Sequence, residues 1–204
     1  MQSPVNAGTV EWSGENPGIY LKESTDGAWT ALAVFFKVVT SPLGRGSGAI
    51  LLAAPSSAAT SAQLPNVCVS DNEPLMRWLV DKFVSLFATF RNAPGLAAMA
   101  YHASTGAGTA GDGVTFHEEW IQSKDLRLNL RWEQLSHPFA VDVPPAMSAT
   151  GQHQMYSVFV EAQRGVISVN DRRLGGMSIQ RDFLGRRMST SFLAFSETWI
   201  VPHE

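Results

Sequence analysis

"DLRLNLRWEQL", Asp125 to Leu135, decides how the rest of the chain is read. Leu126, Leu128, Leu130 and Trp132 alternate with Arg127, Asn129, Arg131 and Glu133. Successive side chains of a strand point to opposite faces, so this period of two predicts one buried and one wet face, as in an antiparallel sheet. Downstream, "HPFAVDVPPAMSATG" reads as a proline-bearing loop, and "HQMYSVFVEA", "GVISVND" and "MSTSFLAFSETWIV" read as meander strands. Gln163-Arg164-Gly165 and Leu184-Gly185-Arg186 are the turn candidates between them.

Upstream, "WTALAVFFKVV" (Trp29 to Val39) is rich in aromatic and β-branched residues, and turn-forming "SPLGRGSG" separates it from a second apolar run, "AILLAAP". A helix is expected next. Ser70, Asp71 and Asn72 offer capping oxygens, Glu73 suits a first turn, Pro74 is tolerated there, and "LMRWLVDKFVSLFATF" contains no glycine or proline. Arg77, Asp81, Ser85 and Thr89 form one narrow polar stripe, so the helix is expected to be buried on most sides. The remaining segments read as an irregular N-terminal arm (1–28) and two flexible loops (55–66 and 104–113). These elements predict a single α+β domain over residues 1–204. Its mainly antiparallel sheet is curved or closed into a barrel, with one largely buried central helix.

The 204 residues are 45% hydrophobic and 16% charged, enough for a substantial core. A net charge of -3 gives no overall attraction to nucleic acid or to anionic membranes. A single cysteine, Cys68, rules out an internal disulfide and suits a reducing compartment. Neither a signal peptide nor an uninterrupted membrane span is read, so a cytoplasmic protein is expected, without nucleic-acid or membrane partners and with homodimerisation left open.

Two segments repeat one pattern, Phe-x-Glu-x-Trp: Phe116, Glu118 and Trp120, then Phe195, Glu197 and Trp199. In regular strands each glutamate would share a face with its two aromatics. If those faces line an interior, burial raises both carboxyl pKa values, and mutual approach would raise one further, as an acid/base pair requires. Trp132 and His117 would complete the lining. Alternatively, the aromatics face a wet surface with the glutamates paired to Arg127 or Arg131, or the rings are core and the glutamate lies at a rim.

Other signals are weaker. Gly106-Ala107-Gly108-Thr109-Ala110-Gly111 matches G-x-G-x-x-G, but a strand rather than a helix follows, so dinucleotide binding is rejected. His102-Ala103-Ser104-Thr105-Gly106 lacks the strand-turn-helix setting of a nucleophile elbow, and Cys68 lies among valines. The histidines show no metal-binding spacing; no metal or cofactor is expected. Arg172, Arg173, Arg186 and Arg187 crowd one hairpin region with Arg164 and Arg181, an arrangement that suits either an anion-binding rim or exposed strand edges.

Gly27-Ala28-Trp29 resembles the G-x-W near the start of lipocalin-type (calycin-like) barrels, over three residues and with the helix in a different place. The order of elements from Trp29 to Val201 is similar to the hot-dog fold, without a matching catalytic motif. Neither likeness identifies a family. The expectation is a protein that holds a small apolar molecule in an aromatic pocket and, if an enzyme, isomerises or hydrolyses it with Glu118 and Glu197. The alternatives are a non-catalytic binding protein and a hot-dog-type acyl-CoA thioesterase whose arginines hold the phosphates, with Asp81 or a strand glutamate as base.

Overall fold

The computed structural model describes residues 7–58, 61 and 64–203. Strands β1 (Gly8–Glu15), β2 (Gly18–Lys22), β3 (Trp29–Thr40), β4 (Gly46–Leu52) and β5 (Asn66–Ser70) come first. Helix α1 (Glu73–Lys82), a 3₁₀ turn at Val84–Leu86 and the short α2 (Pro94–Ala97) follow. Next come β6 (Ala100–Ala103), β7 (Gly106–Gly111), β8 (Phe116–Gln122), β9 (Arg127–Leu135), β10 (Phe139–Val143) and β11 (Gln154–Val169). The last strands are β12 (Arg172–Arg173), β13 (Gln180–Phe183), β14 (Arg186–Ser189) and β15 (Ser191–Pro202).

Among the described residues thirteen strands form one curved mixed sheet with the path β6-β5-β4-β3-β1-β15-β11-β9-β8-β7; β13 and β14 form a separate hairpin. All its pairings are antiparallel except β5 with β6. The sheet curls so that β2 to β5 face β8, β9 and the end of β11 across a core of Ile19, Phe35, Leu51, Leu130, Trp132 and Ile167. The two outermost strands, β6 and β7, follow one another in the chain, so the stretch 100–111 ties the ends of the curl together. Within it Ser104 N–H donates to the Ser70 carbonyl and Thr105 N–H to the Gln122 carbonyl. The ladders form an open path, not a closed barrel.

Burial of Leu128, Leu130 and Trp132 in β9, against half-buried Arg127, Asn129 and Arg131, follows the alternation in the sequence. Asn72 caps α1 as expected, its side chain accepting from Leu75 N–H. The helix itself is shorter than expected and is not buried on most sides: it ends at Lys82, with only Leu75, Met76 and Leu79 buried. Packing overrides helix propensity at that point. Phe83 is held edge-on against Trp12, Trp78 and Trp199, and Phe90 against Tyr20, so the chain between these anchors leaves the helical path. The helix covers the outer face of the curl, where Trp12, Phe36, Phe83 and Trp199 make a second core.

Four stretches expected to be irregular contain strands; one is the proline-bearing 137–151 segment, where Phe139–Val143 forms β10 against β11. The N-terminal arm contains β1 and β2, pinned by Trp12 and Ile19, both fully buried. The glycine-rich 104–113 loop contains β7, because the Trp120 indole lies flat over it: a Cβ on Gly108 would come within 2.7 Å of that ring. The expected Gln163-Arg164-Gly165 turn is the middle of β11, which changes partner there from β15 to β9. A Cβ at Gly165 would collide with Ser191 and Ile19, so glycine permits the close approach of strands rather than a reversal. Of the 55–66 loop, residues 59, 60, 62 and 63 lie outside the described residues. Among the described residues no helix is long and apolar enough to cross a membrane.

Candidate active site

The two Phe-x-Glu-x-Trp segments part company. In β8 the 117, 119, 121 face points into the curl, and Phe116, Glu118 and Trp120 point outward. There Arg131 lies over the Phe116 ring at 3.9 Å and Arg127 over Trp120 at 4.4 Å. Glu118 accepts from Arg131 Nη1 at 2.8 Å and from Asn129 Nδ2 at 3.1 Å. Burial alone would raise its carboxyl pKa, but these donors outweigh it and the pKa is lowered. Glu118 is therefore an ionised member of an arginine ladder.

In β15 the pattern is broken at Ser196. Tyr156 pairs with Thr198 but Val158 pairs with Phe195, so β15 carries one residue more than its partner, and Ser196 takes φ 52° to accommodate the bulge. Phe195 consequently packs into the inner core, edge-on to His117, whereas Glu197 and Trp199 turn to the outer face. β11 and β9 separate β15 from β8, and Glu118 and Glu197 do not share a site.

Glu197 instead lines a cavity of about 390 Å³ on that outer face. Its floor is Tyr20, Met155, Phe159, Phe192 and Trp199. The walls are the 86–91 segment beyond α1, the 143–149 region and the 181–184 end of the β13–β14 hairpin. Phe87 stacks on Trp199 with ring centroids 6.1 Å apart, and Phe159 and Phe192 meet at 5.3 Å, so the lining is largely aromatic.

Glu197 is only 3% exposed. Its Oε1 accepts from Trp199 Nε1 at 2.7 Å and from Asn16 Nδ2 at 3.2 Å; among the described residues nothing donates to Oε2. Burial raises this carboxyl to about 7, with the two donors pulling partly the other way. Beside it Asn16 Oδ1 is buried without a partner. Tyr20, whose phenol pKa burial raises, feels both Glu197 and the Arg181 guanidinium.

Of the residues singled out in the sequence, Glu197 and Trp199 line the cavity. Trp132 is a fully buried pillar of the inner core, its Nε1 donating to the Gly18 carbonyl at 2.9 Å. His117 bonds Glu119, the fully buried carboxylate of the other β8 face, at 2.7 Å. Glu119 is held by Lys37 and Thr109 as well. The four rim arginines divide: Arg172 and Arg173 sit on β12 beside β11, whereas Arg186 covers the Phe139 ring at 3.6 Å and Arg187 reaches the Gln180 carbonyl. Asp81 is exposed and paired with Lys82.

Sequence reasoning missed Asn16, Tyr20, Phe159 and Phe192, whereas Arg181 was named within the arginine-rich hairpin region and lies in the cavity lining. Alternation within "QRDF" places Arg181 on the half-buried side of β13 with Phe183, a signal available in the sequence. Among the described residues no group of three or more His, Cys, Asp or Glu side chains is placed to hold a metal ion. Comparison with known protein families, with curated proteins and with solved structures finds no match to this chain.

Proposed function

We propose that the protein binds a small, largely apolar molecule in the outer cavity, with Glu197 as its polar anchor. One observation carries the reading: a buried carboxyl with an unpartnered oxygen lies in the wall of an aromatic-lined cavity. Beside it Asn16 Oδ1 is buried without a partner, which is costly, and a ligand group that donates to it recovers that cost. The volume falls within the range of small-molecule pockets. The lone Cys68 supports a cytoplasmic setting.

The test is titration calorimetry with methyl decanoate and with 1-decanol, whose hydroxyl can donate to Glu197, on the wild type and on Ala149→Phe, which adds a ring to the cavity wall. Saturable binding by the wild type that is lost in the variant, at unchanged melting temperature, is expected. Wild-type protein that takes up neither probe would end the proposal.

A second reading adds chemistry. A carboxyl titrating near 7 holds its proton loosely enough to donate or accept one at neutral pH, which supports proton transfer to or from the bound molecule. On that reading Glu197→Gln removes turnover and keeps binding. In a plain binding protein only the affinity responds.

A further inference from the structure

Arg181 lies in the cavity wall without a counter-ion. Among the described residues it forms no salt bridge; Nη1 makes one long contact, 3.4 Å, to Thr89 Oγ1, and Nε is buried with no partner at all. Three rings surround the guanidinium, Tyr20 at 5.3 Å, Phe183 at 5.6 Å and Phe192 at 6.0 Å. The nearby carboxylates each turn one oxygen to other donors, and none forms a salt bridge with it. Asp182 Oδ1 accepts from Gly185 N–H in the hairpin turn, Glu161 Oε1 takes Gln180 and the Ser189 N–H, and Glu197 holds Asn16 and Trp199. Arg91, the other cation of the lining, is turned to the Leu86 carbonyl.

A partly desolvated cation is costly unless an anion joins it. Aromatic faces hold part of the charge but supply no hydrogen-bond acceptor in the plane of the guanidinium. A planar fork with unfilled donors matches the two oxygens of a carboxylate, and a single arginine balances one negative charge rather than the two of a phosphate monoester. The rest of the lining is hydrocarbon and aromatic, and the volume suits roughly ten to fifteen non-hydrogen atoms at protein-like packing density.

Building on the cavity reading above, we propose that the ligand is an amphipathic monocarboxylic acid, bound with its carboxylate on Arg181 and its apolar body against Phe87, Phe159, Phe192 and Trp199. Arg181 thereby sets the ligand's orientation and distinguishes an acid from the matching neutral molecule.

The test compares decanoate with methyl decanoate by calorimetry at pH 7.5, on wild type and on Arg181→Gln. Decanoate is expected to bind about tenfold or more tighter than the ester, the range of a charge-assisted hydrogen bond. In Arg181→Gln the acid should fall to the level of the ester, while ester affinity, which also reports that the variant is folded, stays unchanged. Equal binding of acid and ester by the wild type overturns this proposal and leaves the cavity reading standing. Binding of neither probe overturns this proposal, and the cavity reading as well where 1-decanol also fails to bind. Retention of the acid's advantage in Arg181→Gln would place the carboxylate elsewhere and overturn the assignment to Arg181.

Discussion

Phe195 and Glu197 stand two residues apart on one strand and face opposite sides of the sheet. Phe195 meets His117 in the inner core, and Glu197 looks into the outer cavity. The cause is the extra residue at Ser196, whose positive φ resets the alternation.

That bulge is testable by itself. Ser196 is exposed, so its substitution acts on the backbone. Ser196→Gly is expected to leave stability unchanged or raise it slightly, because glycine adopts φ 52° without strain. Ser196→Val, β-branched, should cost about 1–3 kcal/mol in denaturant unfolding and weaken decanoate binding as Glu197 shifts. Equal stability of the two variants would count against a bulge held at this residue.

The Glu197 contribution to stability should fall as pH rises through neutrality, opposite in sign to that of His153, whose pKa burial lowers. A carboxyl raised from 4.5 to about 7 stays protonated in the fold while its unfolded counterpart ionises. At this group the native state therefore binds more protons than the unfolded state between those values, and its contribution drops across that window. The full effect is roughly 3 kcal/mol at most. Glu197→Gln should flatten this part of the profile, measured as unfolding free energy at pH 5 and pH 8. An unchanged slope would show that Glu197 ionises in the fold as it does in water. Arg181 and the Tyr20 phenol lie in the same cavity and are unchanged by the substitution.

Glu118→Gln should leave decanoate binding untouched and cost no more than about 1 kcal/mol. Its partner is an arginine with a side chain 35% exposed, and such surface pairs contribute little. Loss of binding or activity in this variant would return Glu118 to the site.

Lys37→Met should be far more damaging. Lys37 on β3 reaches across the curl to Glu119 at 2.5 Å, and Glu119 is fully buried. Removing the cation leaves that buried carboxylate with only His117 and Thr109, at a cost of about 2–4 kcal/mol once the partial exposure of Lys37 is allowed for. The double change Lys37→Met with Glu119→Leu should recover much of the loss, since it removes both charges. A double variant as unstable as the single one would mean that the carboxylate was not the problem.

What could be read in the sequence was local. The leucine alternation of 126–132 and the Asn72 cap depend on neighbours in the chain, and both are present in the fold. Glu197 and Trp199 were found through an alternation that the bulge breaks between Phe195 and Glu197 and leaves intact between Glu197 and Trp199. The pairing of Glu118 with Arg131 was among the alternatives, because a carboxylate at a wet face seeks a nearby cation. Illegible were features set by contacts far apart in sequence: Lys37 with Glu119, Asn16 with Glu197, and the glycines of β7 under Trp120. The end of α1 at Lys82 belongs with them, since no residue there breaks a helix and only the aromatic cluster around Phe83 does so.

The pairing of β1 with β15 has a consequence for how the molecule comes into being. Among the described residues Thr9 and Val10 have only Val201 and Ile200 as strand neighbours, whereas the later part of β1 also meets β3. On the ribosome the first of these strands emerges long before the last, so half of β1 waits as an open edge through most of translation. Slow, chaperone-sensitive maturation is the expected result, with the fold completed only when β15 arrives to fill the gap.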